Sequence, residues 1–236
     1  MLIISCYFGS KPSGIYPAPA AKDNCVFFSN NLEMKPEAVS KGWQFEYTSH
    51  LPLSENTLIS SLQSKYVKFL KFLDDYGTMD VKNGIVYFDH KFGVTSDHLT
   101  DMLTGCDKEI VIRNTPKYKP TIQHEIDAAM RQERYQYAMP ETIDWVGRHT
   151  STGEYSENCR IVNTGLILYR NPASARKLTD QIYTVCWQLA QPECQIIWAV
   201  LSQKFEEMIG RLDWERVNPT WQERKPCQVV SCTCGQ

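Results

Sequence analysis

Asp89-His90-Lys91 follows directly on the apolar run Ile85-Val86-Tyr87-Phe88, which Gly84 opens. A carboxylate, an imidazole and an ammonium in a row can handle protons, a metal or an anion. A continuous apolar run reads as a strand buried on both faces. A charge at its C-terminal end then falls in the crevice where open α/β sheets bind ligands. Such groups are costly to bury unpaired, so they are expected to face that crevice. Taken alone, Asp89 reads more simply as a turn cap. Other polar residues also end apolar runs: Tyr7, Phe8 and Gly9 after residues 2–6, Asn30 after 25–28, and Asn163-Thr164-Gly165 within 160–169. Glu125 and Gln195 each fall in the first turn of an expected helix. For Glu125 the helix dipole alone accounts for an acid there.

The elements that must position these residues alternate along the chain. Strands are expected at 2–6, 25–28, 84–88, 109–113 and 160–169, with a half-exposed strand at 43–47. A helix is expected over 57–76, with Leu58, Leu62, Tyr66, Phe69 and Leu73 on one face, Asn56 as its cap and Gly77 as its stop. Lys65 and Lys68 are placed off that face, as solvated lysines by default or aimed along the sheet at an anion. A second helix is expected over 121–139, a mobile loop over 147–159, and a third helix from Asn171-Pro172. A fourth opens at Pro192 with Ile196, Val200 and Met208 on its buried face. The glycine inside 160–169 suggests a bulge or a close approach. Strands alternating with helices imply one mixed, mostly parallel α/β sheet with helices on its faces.

Bulk properties narrow the field. A chain of 236 residues suits one large domain with a short tail, 1–221 and 222–236. Apolar content of 42% and charged content of 22% are ordinary for a globular protein. A net charge of −2 argues against a nucleic-acid partner. No apolar run reaches the length of a membrane span. The nine cysteines read as reduced thiols of a cytoplasmic protein. Most are core residues, while Cys227, Cys232 and Cys234 crowd the tail. Phosphate-cradling, dinucleotide and serine-elbow motifs are all absent, which disfavours a triphosphatase, a dehydrogenase or a serine hydrolase. What remains is a row of polar strand ends that suits a nucleotide-sugar site. An aromatic near strand one would hold the base, a charged group the diphosphate, and later polar residues the sugar.

The order of the pieces carries a resemblance. Ser64-Lys65-Tyr66-Val67-Lys68 followed by 85–91 resembles the Ser-Arg-x-x-Lys helix and the hydrophobic-Asp-x-Asp strand of GT-A fold glycosyltransferases. Asn163-Thr164-Gly165-Leu166-Ile167-Leu168 and Pro192-Glu193-Cys194-Gln195 resemble segments of the glycogenin and lipopolysaccharide galactosyltransferase type. Cys6-Tyr7-Phe8-Gly9, Phe28-Ser29-Asn30-Asn31, Trp43 and Glu125 are similar to pieces of a bacterial and plant glycosyltransferase-like group. The resemblance implies a GT-A-like (Rossmann-like) fold and transfer from a nucleotide-sugar donor, UDP-linked, to a glycan, lipid-linked or protein acceptor. It assigns Asp89, Lys91, Glu125 and Gln195 to the reacting end. It assigns Tyr7, Phe8, Gly9, Asn30, Lys65, Lys68, Asn163, Thr164 and Gly165 to the donor. It also implies a Mn²⁺ or Mg²⁺ ion on Asp89. In this chain, however, the second acidic position is Lys91, and no histidine follows His149 to complete such a site. Lys91 could itself offset the diphosphate charge. The alternative is a decayed binding or scaffold protein of the same fold. A sugar nucleotidyltransferase is the weaker third reading, because 9–14 is a poor Gly-rich basic loop.

Overall fold

A computed structural model describes residues 1–20, 24–76, 81, 83–115, 121–213 and 220–221. Seven strands form one sheet: β1 (Leu2–Cys6), β2 (Cys25–Ser29), β3 (Gln44–Tyr47), β4 (Ile85–Phe88), β6 (Ile110–Asn114), β7 (Val162–Tyr169) and β8 (Ile209–Leu212). Their spatial order is β3-β2-β1-β4-β7-β6-β8. All neighbours are parallel except β7, which runs antiparallel to both β4 and β6. The sheet is therefore mixed and mostly parallel, as the alternation of elements implies. A separate pair, β5 (Phe92–Gly93) with β9 (Thr220–Trp221), lies just past β4.

Side chains alternate across each strand, and the two faces bury two cores. Ile4, Cys6, Phe28, Ile85, Tyr87, Ile112 and Tyr169 face one side. They pack against α2 (Thr57–Lys68), α4 (Ile122–Ala129), α7 (Pro172–Gln188) and α8 (Cys194–Leu201). Ile3, Phe27, Val86, Phe88, Val111 and Leu168 face the other side, against α1 (Lys35–Ser40) and α3 (Ser96–Gly105). Inward residues on both faces explain why these strands read as unbroken apolar runs.

Several boundaries differ from expectation. The first expected helix stops at Lys68: Leu70 takes a left-handed backbone (φ 62°), and a 3-10 turn follows at Lys71–Asp74. The helix expected over 121–139 is two pieces, α4 and α5 (Glu133–Gln136), and a further helix, α6 (Met139–Ser151), starts where it was expected to end. Gly147, expected to open a mobile loop, lies inside α6. Pro140 sits in the first turn of α6, where a missing N–H costs nothing, so a proline marks a restart. Met208 falls in a 3-10 turn beyond α8, and every residue of α8 except Gln195 is buried. Gly84 precedes β4 at φ +84°, tight against the Tyr169 carbonyl. Helices α1 and α3 and strand β8 had no counterpart in the sequence reading. Gly77, 116–120, Trp214 to Pro219 and the tail from 222, with Cys227, Cys232 and Cys234, lie outside the described residues.

The bulge expected at Gly165 is present. Ile112 pairs with Ile167, but its neighbour Arg113 pairs with Asn163, which leaves 164–166 without partners on β6. A Cβ on Gly165 would lie 2.5 Å from the Phe92 ring. The glycine thus lets β5 close over the end of β7.

Candidate functional site

The chain proceeds from β1 to β2 and β3 on one side, then crosses to place β4 on the other side of β1. The loops after β1 and β4 therefore part, and a crevice opens beyond their carboxyl ends. The start of antiparallel β7 reaches the same place, where the Asp89 N–H donates to the Gly165 carbonyl (2.9 Å). The sheet's topology thus brings Tyr7, Asp89 and Asn163 to Gly165 to one end.

Asp89 continues the alternation of Ile85 and Tyr87, so its carboxylate faces α2. Its Oδ1 accepts from the Tyr87 hydroxyl (2.6 Å) and pairs with Lys68 Nζ (3.0 Å). The turn-cap reading does not hold for this side chain; only its backbone carbonyl closes the turn, accepting from Phe92 N–H (2.8 Å). Helix α2 runs antiparallel to β1 and β4: Ser64 lies against Cys6 at the end of β1, and the Lys68 carbonyl accepts from Tyr169 hydroxyl (2.8 Å) beside the start of β4. Helical side chains lean toward their own N-terminus, so Lys68 reaches back along the sheet to Asp89. Its ammonium also lies 5.2 Å from the centre of the Tyr87 ring.

Lys65 and Lys68 are both buried, contrary to the solvated default. Lys65 is three residues after Leu62 and four before Phe69, which places it on the apolar stripe itself. Among the described residues its ammonium has no hydrogen-bond or ion-pair partner. It acts electrostatically on Asp89 and on Cys6.

The electrostatics follow from this packing. Burial alone would raise the Asp89 carboxyl, but Lys68, Tyr87 and Lys65 outweigh it and hold it below the usual range. Burial opposes a charge on Lys68 as well, yet Asp89 raises it, so the pair is ionised. Burial and the nearby Asp89 push the Cys6 thiol up to about 12. Burial and Lys91 hold His90 down to about 4, and its ring meets Tyr7 edge-on at 4.9 Å and Ser13 at 3.3 Å.

Arg113, at the end of β6, is a charged residue of this site that the sequence reading passed over. It is buried, donates to Asn163 Oδ1 (3.2 Å) and stacks over Phe92 at 5.0 Å. Burial lowers it to about 10, with Asp89 acting in the opposite sense. Its signal was visible: Ile110-Val111-Ile112 runs into a charge just as 85–88 does. Tyr87 was missed because it reads as one more apolar strand residue.

The other expected residues fall in three places. Asn163 Oδ1 also accepts from Gly165 N–H (3.0 Å), and the Thr164 hydroxyl meets Cys194 Sγ at 3.3 Å, linking β7 to the start of α8. There Gln195 Nε2 donates to Glu125 Oε1 (2.9 Å), and Glu193 accepts from Gln195 N–H. Glu125 and Gln195 are thus brought together, and they join Thr164 through the start of α8. Asn30 is committed to the scaffold: its Nδ2 donates to the Pro52 carbonyl and to Gln63, and its Oδ1 accepts from Gly9 N–H. Phe8 is buried in the core, so the expectation that it holds a ligand gives way to packing. Tyr7, half-buried, donates to the Lys11 carbonyl (2.6 Å). Lys91 occupies the turn beyond Asp89 and acts electrostatically on His90. Two surface hollows, one beside Ile122 and Gly147 and one beside Trp145 and Thr184, include none of these groups.

The donor set does not suit a divalent cation. Mg²⁺ and Mn²⁺ seek several oxygen ligands, usually more than one carboxylate. Among the described residues no three His, Cys, Asp or Glu side chains come together as a ligand set. The one carboxylate at the strand end has its Oδ1 taken by an ammonium and a hydroxyl.

The fold and site together define an open α/β sheet whose buried charges collect at its switch point. Neither family models nor curated proteins match the sequence. Among solved structures, the crystal structure of mouse xyloside xylosyltransferase 1, apo form, is similar over 90% of this chain and 85% of its own, at 12% identity and a TM-score of 0.47. Among the described residues no helix is long and apolar enough to cross a membrane.

Proposed function

We propose that the protein is a glycosyltransferase that moves a sugar from a nucleotide-sugar donor, UDP-linked by resemblance, to a glycan, lipid-linked or protein acceptor. One observation carries this reading: two buried lysines converge on Asp89 at the carboxyl ends of the central strands. Buried cations at a sheet's switch point suit an anionic ligand. The half-buried Tyr7 and the backbone at Gly9 lie on the side suited to the base. Asn163, Thr164 and Gly165 lie on the side suited to the sugar, with Gln195 and Glu125 beyond them near the acceptor. Transfer would proceed by positioning the sugar carbon and stabilising the departing diphosphate in a largely dry pocket.

The test is a thermal-shift screen against UDP-, GDP-, CMP- and dTDP-sugars. A ligand at a hundredfold excess over its Kd stabilises the native state by about 2.7 kcal/mol, roughly 5–10 °C in Tm for a chain of this size. One nucleotide family should give that shift and slow release of its nucleotide, and Asp89→Ala should abolish release with the fold intact. No shift with any donor would refute the reading. The replacement of the second carboxylate by Lys91 favours the decayed binding protein as second reading. Tight binding with no turnover would select it.

A further inference from the structure

We infer that this site holds a diphosphate without a divalent cation, with the ammonium groups of Lys65 and Lys68 supplying the charge directly. This rests on the proposed nucleotide-sugar reading and specifies how its anion is bound.

The charges that act on Asp89 are cationic. Lys68 Nζ sits 3.0 Å from Oδ1, Lys65 acts on the same carboxylate, and the buried Arg113 guanidinium feels it from β6. A metal ion on Asp89 would have to take Oδ2, because Lys68 and the Tyr87 hydroxyl hold Oδ1, and it would sit beside Lys68, Lys65 and Arg113. Three like charges would oppose it in a poorly solvated region, where repulsion is weakly screened. Cys6 offers no compensating thiolate, because burial keeps its thiol protonated and the thiol donates to the Ser64 carbonyl. An anion meets the reverse situation. Lys65 is buried and among the described residues has no hydrogen-bond or ion-pair partner, so its three donors are uncommitted. A phosphate oxygen is a partner of the kind this ammonium lacks. Lys68 spends one donor on Asp89 and keeps two. A lysine binds phosphate as a point charge and tolerates varied oxygen positions.

Asp89 then acts as a positioning residue. It holds the Lys68 ammonium at the end of the sheet while no anion is bound, a hold that the charge of a bound phosphate replaces, and it does not itself touch the ligand. This assignment separates cleanly from a metal-ligand role. A ligand carboxylate must be charged for binding, whereas Asp89→Asn removes a negative charge from an anion site.

The experiment is calorimetric titration of the full chain with inorganic pyrophosphate and with UDP, each in EDTA and again in Mn²⁺. Both ligands should bind in EDTA, and adding Mn²⁺, which itself complexes a diphosphate, should leave the apparent Kd the same or weaker, never tighter. Lys65→Met should weaken both by roughly tenfold to a hundredfold, the loss expected for a charged hydrogen bond. Lys65→Arg should restore most of that loss, and Asp89→Asn should bind pyrophosphate as tightly as the parent or tighter. The paramagnetic signal of free Mn²⁺ should be undiminished by the protein alone. Binding that appears only with Mn²⁺, or is lost in Asp89→Asn, would overturn the metal-free assignment and leave the nucleotide-sugar reading standing. Failure of both ligands to bind in either buffer would overturn the reading on which it rests.

Discussion

Lys68 and Asp89 should be energetically coupled, and a double-mutant cycle with Lys68→Met and Asp89→Asn measures the coupling. The Lys68 side chain is 5% exposed and that of Asp89 34%, with 3.0 Å between Nζ and Oδ1. Removing one partner of a fully buried pair costs about 3–5 kcal/mol, because the other charge is left desolvated. Exposed pairs couple by only about 0.2–1 kcal/mol, and Asp89 lies between these limits. Asp89→Asn strands the more buried charge and should cost about 2–3 kcal/mol. Lys68→Met leaves Asp89 with the Tyr87 hydroxyl, the influence of Lys65 and some water, so about 1–2 kcal/mol is expected. The double variant has no stranded charge and should be less destabilised than the sum by about 2 kcal/mol. Urea unfolding followed by tryptophan fluorescence reads all four proteins. The coupling should persist at high salt, since a pair on this buried lysine is weakly screened. A coupling below about 0.5 kcal/mol, the additivity limit for independent sites, would refute a paired, buried Lys68 and with it the geometry of the site.

Two further perturbations test the surroundings. Gly165→Ala places a Cβ 2.5 Å from Phe92 Cε2 and 2.9 Å from Asn163 Oδ1. Overpacking of this kind costs about 1–3 kcal/mol, and the lowered Tm should partly recover when Phe92→Ala is added; no recovery would mean that the ring is not the obstacle. His90 is held down to about 4 by burial and Lys91, whereas an unfolded histidine takes up a proton near 6.5. The folded pKa is the lower one, so this contribution is intact above about pH 6.5 and is lost as pH falls toward 4, with a slope approaching 1.4 kcal/mol per pH unit. His90→Gln should flatten the urea-derived stability profile in that window, and an unchanged slope would locate the effect elsewhere.

How much of this was legible in the sequence depends on the range of the interaction that decides it. The strands at 2–6, 25–28 and 84–88 were legible because both faces are buried, and burial writes itself as unbroken apolar residues. The start of α7 was legible because Asn171 and Pro172 act within one turn: the Asn171 side chain accepts from Ser174 N–H. The bulge at Gly165 was legible because a lone glycine in an apolar strand has few other uses. The extent of the helix over 57–76 was not, since Leu70 takes a left-handed backbone that a leucine does not itself favour. Strand β8 was missed because Ile209-Gly210-Arg211-Leu212 is held by pairing with β6, a partner a hundred residues away.

The candidate site divides in the same way. Asp89 could be singled out from its position after an apolar run, a matter of local order. The sequence by itself also set the class of sheet and the end at which polar residues collect. What Asp89 bonds to could not be read locally. Its partner lies on α2, and only the sheet's alternation, together with the antiparallel course of that helix, brings Lys68 to it. Lys65 and Lys68 look like any surface lysines on a helical pattern. Their burial depends on Tyr87, Cys6 and α7, which pack around them only after the crossover from β3 to β4 is made. Tertiary structure therefore decided the electrostatics of this protein, because Coulomb interactions depend on distance and on water exclusion, and neither is a property of neighbours in sequence.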